Sequence, residues 1–119
     1  MTLEVLIDTN VCIGVINGLI DPSSLSGFDL HLSVITCAEL VALPGLSAIE
    51  EAEIEEFFSQ CRVLPISLSI ALAAGKLCRT NTRKLPDMLI ASTAVETKLP
   101  LLTSDKAFRR IRRLQVIAM

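Results

Sequence analysis

The chain predicts an α/β fold, a parallel sheet of about five strands in the order 3-2-1-4-5 with helices on both faces. Three observations lead there. Short β-favouring apolar runs alternate with segments of helical spacing along all 119 residues, the pattern of strands joined by crossover helices. No linker, repeat or low-complexity stretch interrupts them, so residues 1–119 read as a single domain around one core. Acids also recur near the ends of these runs, at Asp8, Glu39, Asp87 and Asp105, where sheets of this kind bind their ligands.

Residues 3–7 form the first strand, closed by Asp8, and Thr9-Asn10 opens a helical segment over 11–16. Asp21-Pro22-Ser23-Ser24 and Gly27 are turn material. The second strand is expected at 32–35, with Thr36 starting a helix that carries Glu39. In the next helix, 47–61, Ile54, Phe57, Phe58 and Cys61 share one face and leave the five glutamates between 50 and 56 mainly on the others. A third strand at 63–66 is followed by a helix over 70–79 and a polar loop, 81–84. Pro86 then sits in the first turn of a helix reaching about residue 98. Residues 101–103 make the fourth strand, a short helix starts at Lys106, and 115–118 close the sheet.

Right-handed connections with the first strand central, the second and third to one side and the fourth and fifth to the other, place the topological switch between strands one and four. Asp8 ends strand one and Asp105 follows strand four by two residues, so they meet although 97 positions apart. Glu39, a helical turn past strand two, reaches the same mouth, and Asp87 approaches from the side.

Net charge is −2, but its distribution is uneven. Residues 1–75 hold ten acids and one base, Arg62, whereas residues 76–119 hold ten bases and three acids. The basic half brackets two of the acids, with Arg79, Arg83 and Lys84 before Asp87 and Lys106, Arg109, Arg110, Arg112 and Arg113 after Asp105. A polyanion suits such flanks, and the alternative is a set of solvated helix faces. With 3% aromatics and neither Trp nor Tyr, a base-stacking platform is largely missing.

Hydrophobic residues make up 51% of the chain, an excess that points to an oligomer, taken here as a homodimer. The uncharged stretch 63–75 contains Pro65 and two serines and falls short of the ~20 residues of a membrane span. No basic-then-apolar leader opens the sequence, so a cytoplasmic location is expected. Cys12, Cys37, Cys61 and Cys78 contain no C-x-x-C pair and read as small buried thiols rather than a zinc or redox motif. The lone His31 reads as structural.

Each acid also has a purely structural reading. Asp8 is placed to cap the helix after it, Asp87 to complement a helix dipole, and Asp105 to cap the short helix from Lys106. Thr36-x-x-Glu39 has the form of a capping box. Independent caps would fall at either end of the sheet, whereas all four acids fall after strands or on helices facing the strand ends. Acids a few ångströms apart repel, each pair costing on the order of 4 kcal/mol at 4 Å and an effective dielectric of 20. Grouped in this way they call for a shared cation or a retained proton.

At these residues the chain resembles PIN-domain nucleases, in particular the VapC-type toxins of toxin-antitoxin pairs. The matching segments are Leu6-Ile7-Asp8-Thr9-Asn10-Val11, Thr36-x-x-Glu39-Leu40, and the run from Leu85-Pro86-Asp87-Met88-Leu89-Ile90-Ala91 to Leu102-Thr103-Ser104-Asp105-x-x-Phe108. The resemblance implies a metal-dependent endoribonuclease in which Asp8, Glu39, Asp87 and Asp105 are the acidic quartet and Thr9, Asn10, Thr103 and Ser104 support it. Asp8, Asp87 and Asp105 would hold Mg²⁺ or Mn²⁺, ions suited to hard oxygen donors. Glu39 would orient the attacking water or hold a second ion, and Asn10 and Ser104 would fix carboxylate orientation. Arg79, Arg83, Lys84, Arg109 and Arg110 would contact the RNA backbone. A cognate antitoxin is the implied protein partner. Ala107 stands where many relatives carry a further acid, which leaves the number of ions at one or two, and the stretch between Asn17 and His31 is short. A catalytically silent nucleic-acid-binding domain on the same scaffold is the alternative. A phospho-acceptor receiver domain is set aside, because it needs an aspartate after strand three, where Val63-Leu64-Pro65-Ile66-Ser67 stands.

Overall fold

Val5, Leu6 and Ile7 are all fully buried, although successive strand residues point to opposite faces. Both faces of this strand are therefore covered, as a central parallel strand requires. The computed structural model, which describes residues 2–119, has a five-stranded parallel sheet in the order β3-β2-β1-β4-β5. Its elements are β1 (Leu3–Ile7), α1 (Thr9–Ile16), β2 (Phe28–Ser33), α2 (Val34–Val41), α3 (Ala48–Ser59), β3 (Arg62–Leu64), α4 (Leu68–Cys78), α5 (Leu85–Thr97), β4 (Leu101–Thr103) and β5 (Val116–Ala118). Short 3₁₀ turns lie at Pro22–Leu25 and Lys106–Arg110. This is the topology expected from the sequence.

The chain steps outward from β1 to β2 and β3, then crosses back over β1 to β4. Right-handed crossovers on the two legs must lie on opposite faces, and the core divides accordingly. Val5, Ile7, Leu32 and Leu102 pack with Val11, Cys12, Leu40 and Ile54 from α1, α2 and α3. Leu6 and Leu101 pack on the other side with Ala74, Met88, Ile90, Ala91, Ala94 and Phe108.

Several expected boundaries move, two of them with consequences. The second strand, expected at 32–35, spans Phe28–Ser33, because Leu3 to Leu6 pair with Phe28 to His31 and extend the ladder backwards. Thr36 consequently does not start the next helix. Ser33 caps α2 by accepting the Ile35 amide at 3.2 Å, and Thr36 sits within the helix, fully buried. The Thr36/Glu39 capping box is therefore absent, and the box the structure does contain joins Ser47 and Glu50 at the start of α3. The third strand, expected at 63–66, is Arg62–Leu64, and α4 begins at Leu68, two residues early, because Ser67 accepts the Ile70 amide at 3.1 Å. His31 is buried against Glu4, with its Nε2 at 3.1 Å from a carboxylate oxygen, in keeping with a structural role. All four cysteines are free.

If Ser33 is the cap of α2, Ser33→Ala should lower unfolding free energy by about 1 kcal/mol, read from urea denaturation. An unchanged midpoint would return the helix start to Thr36.

Candidate functional site

Asp8 has lost all exposure to solvent. It stands at the start of α1 with extended backbone, as an N-cap does, yet its side chain makes no capping hydrogen bond. Its amide donates to the Leu102 carbonyl at 3.0 Å, which carries the β1–β4 pairing one residue past the strand and sets Asp8 beside Thr103. The Thr103 hydroxyl donates to Asp8 Oδ2 at 2.8 Å and accepts the Asp105 amide at 3.0 Å. One buried hydroxyl thus connects the first and fourth acids. Asp8 Oδ1 is buried with no hydrogen-bond partner among the described residues.

Thr9, the next residue, faces the other way round the same strand end. Its hydroxyl donates to Glu39 Oε1 at 2.8 Å and lies 2.9 Å from the Thr36 hydroxyl. A hydroxyl has one proton, so Thr36 is the donor of the second bond. Thr36 is a member of this site that the sequence reading assigned to helix capping. The three-residue spacing from Thr36 to Glu39 is what brings both onto the face of α2 turned to α1.

Asp87 is in the first turn of α5, and Arg83, four residues earlier, places a terminal guanidinium nitrogen 3.3 Å from its Oδ2. The same nitrogen binds Asp105 Oδ2. The guanidinium also lies over the Phe108 ring, 4.9 Å from its centroid, a favourable cation–π position. Asp105 does cap, accepting the Ala107 amide at 2.9 Å.

The electrostatics follow from this arrangement. Burial pushes the Asp8 carboxyl up from its ordinary value; the Thr103 hydrogen bond and, more weakly, the Thr9 and Asn10 amides oppose the rise, and the nearby Asp87 charge adds to it. For Asp105 the direction reverses. The Ala107 amide, helped by Arg83 against a burial cost, holds its carboxyl below the usual range.

The four expected acids therefore occupy one end of the sheet in a chain of contacts: Glu39 to Thr9, Asp8 through Thr103 to Asp105, and Asp105 through Arg83 to Asp87. Among the described residues, no three His, Cys, Asp or Glu side chains stand grouped as ready metal ligands. The donor set nonetheless fits a hard divalent ion, because it consists of carboxylates, contains a bare buried oxygen on Asp8, and already holds one cation, the Arg83 guanidinium. Of the expected supporting residues, Thr9 and Thr103 hold the acids. Asn10 and Ser104 are exposed and make no side-chain hydrogen bond among the described residues, whereas the hydroxyls of Thr9, Thr36 and Thr103 form the hydrogen bonds around Glu39 and Asp8. Arg79, Lys84, Arg109 and Arg110 are exposed near these elements, while Arg83 is only 23% exposed and engaged with the acids. The i, i+4 spacing of Arg83 and Asp87 was a sequence signal for that pair.

The PIN domain family model matches residues 5–114. Among solved structures, a chain of the VapBC2 complex from Rickettsia felis, crystallised with a promoter DNA fragment, superposes with a TM-score of 0.82 at 23% identity, covering 98% of this chain and 99% of that one. A chain of a toxin-antitoxin complex from Klebsiella pneumoniae gives 0.80 at 26%, covering 97% and 99%. One from DNA-bound VapBC of Salmonella typhimurium gives 0.82 at 25%, covering 99% and 98%. No curated protein matches the chain. The chain belongs to the PIN domain family.

A raised Asp8 value means that the folded protein keeps this proton to higher pH than the unfolded chain does. Stability is therefore greatest below the ordinary value of 3.8 and is lost as pH rises through the folded value. Asp8→Asn removes that loss. In metal-stripped protein it should stabilise the fold at pH 7 by on the order of 1 kcal/mol, with the gain vanishing toward pH 4. Thermal unfolding at the two pH values checks both the sign and the trend.

Proposed function

We propose that this PIN-domain chain is a metal-dependent endoribonuclease and the toxin of a toxin-antitoxin pair. The observation that carries the reading is the Thr103 hydroxyl joining Asp8 to Asp105 at the adjacent ends of β1 and β4, with one Asp8 oxygen buried and bare. A structural acid would have used that oxygen to cap α1.

Asp8, Asp87 and Asp105 are the residues to hold Mg²⁺ or Mn²⁺, with Glu39 at the margin for a water or a second ion. A bound divalent ion would acidify a water and neutralise charge growing on the phosphodiester. The protein's part is orientation. Thr103 fixes which Asp8 oxygen faces inward, and Thr9, itself held by Thr36, fixes Glu39. Exposed Arg79, Lys84, Arg109 and Arg110 would hold the RNA backbone, contacts that position a strand without reading its sequence.

The antitoxin partner is proposed from the toxin-antitoxin complexes that the fold resembles. A homodimer is proposed from Leu68 and Leu72, one turn apart on α4 and 75% and 55% exposed, together with Leu85, 50% exposed. No helix among the described residues is long and apolar enough to cross a membrane, and action on cellular RNA would place the protein in the cytoplasm.

Purified chain with Mn²⁺ or Mg²⁺ should cut single-stranded RNA and leave 5′-phosphate ends. Asp8→Asn should remain folded and lose cleavage entirely, while Thr103→Val should lower it roughly 10–100-fold, measured by gel assay of an end-labelled RNA. RNA binding without cleavage in the wild type would instead support the silent-domain reading.

A further inference from the structure

We propose that Arg83 is a built-in counter-ion, seated on the Asp87–Asp105 pair, that a divalent ion must displace in order to load the site. This rests on the metal-dependent reading above. The two carboxylates come from different elements, the first turn of α5 and the turn after β4, and a single guanidinium nitrogen bridges Oδ2 of both. Bridging two acids from separate segments is the task of a divalent ion in a carboxylate site. An ion held by Asp87 and Asp105 would draw on the same two carboxylates, so it and the guanidinium would compete for them.

Two further features make Arg83 an occupant rather than a passing surface partner. The side chain is only 23% exposed, and the Phe108 ring backs it from below. Phe108 is itself fully buried, so this platform does not move away. The remaining feature limits how firmly the seat is held. Arg83 Nε is buried without an acceptor among the described residues, so an unmet donor weighs against the seated position and favours exchange.

The opposite role is also physically reasonable: Arg83 could be a fixed positioning residue that organises Asp105 for the ion. The two predict opposite signs. A competitor, once removed, leaves the acids to the ion, whereas a positioning residue, once removed, leaves them disordered.

Calorimetric titration of Mn²⁺ into metal-stripped wild type, Arg83→Gln and Arg83→Lys separates them. Arg83→Gln should bind Mn²⁺ at least tenfold more tightly than wild type. Its melting temperature without metal should be lower, and Mn²⁺ should raise it by more than in wild type. A second readout uses unaltered protein. During Mg²⁺ titration, one arginine Nε–Hε resonance, identified by its absence from Arg83→Lys, should shift with the midpoint of ion binding. Wild-type binding with equal or weaker affinity in Arg83→Gln, or an immobile Arg83 resonance during wild-type loading, would overturn the counter-ion role and leave the nuclease reading intact. No Mn²⁺ binding by either protein would overturn both. If Arg83→Gln does not fold, the wild-type resonance decides.

Discussion

The hydrogen bond from Thr103 to Asp8 is the contact on which the rest of the site depends. It exists because β1 and β4, separated by most of the chain, are neighbours in the sheet, and because the Asp8 amide extends their pairing past the last strand residue. Burying a carboxylate costs several kcal/mol unless it is bonded or paired. Thr103 meets that need at one oxygen only. Because the same hydroxyl accepts the Asp105 amide, the turn after β4 is fixed relative to Asp8, and every other acid is placed with reference to that point.

Compensation around this centre is graded by depth. Asp8, at the bottom, has hydroxyl contact but no cation, and burial pushes its carboxyl upward. Asp105, nearer the surface, has an amide and a guanidinium and moves the other way. The uncompensated charge is thus concentrated on the most buried acid, where a low effective dielectric makes its demand for a cation strongest. Had the fold been optimised for stability alone, an apolar or amide side chain at position 8 would have served better.

Topology and the acid positions were legible in the sequence because they rest on long-range regularities, namely alternating strand and helix runs, the handedness of crossovers and the switch point of the sheet. What escaped was local. The start of β2 escaped because Phe28-Asp29-Leu30-His31 directly follows turn material, which outweighed its strand-like alternation; its pairing with β1 makes it a strand. That error displaced the start of α2 and turned Thr36 into a cap. Its true partner, Thr9, lies 27 positions away and is brought near only by packing of α1 on α2. Arg83 was visible as one base among many, but its engagement with Asp105, 22 positions on, needed the turn after β4 in place.

The separation of donor types across the sheet argues for the class of ion such a site would take. Cys12, Cys37 and Cys61 belong to the core face built by α1, α2 and α3. Burial pushes all three thiols up, Cys61 to about 11 and Cys12 further, so each remains a neutral thiol at physiological pH rather than the thiolate that binds zinc or copper. The acids and threonines gathered at the strand ends offer carboxylate and hydroxyl oxygen, and the one histidine is buried within β2, tied to Glu4. Zinc prefers sulfur and nitrogen ligands, whereas magnesium and manganese prefer oxygen. Cys12 is buried and the other three cysteines are half-buried against the core faces, so the soft donors stand apart from the hard oxygens where β1 and β4 end, a donor set suited to oxygen-seeking ions.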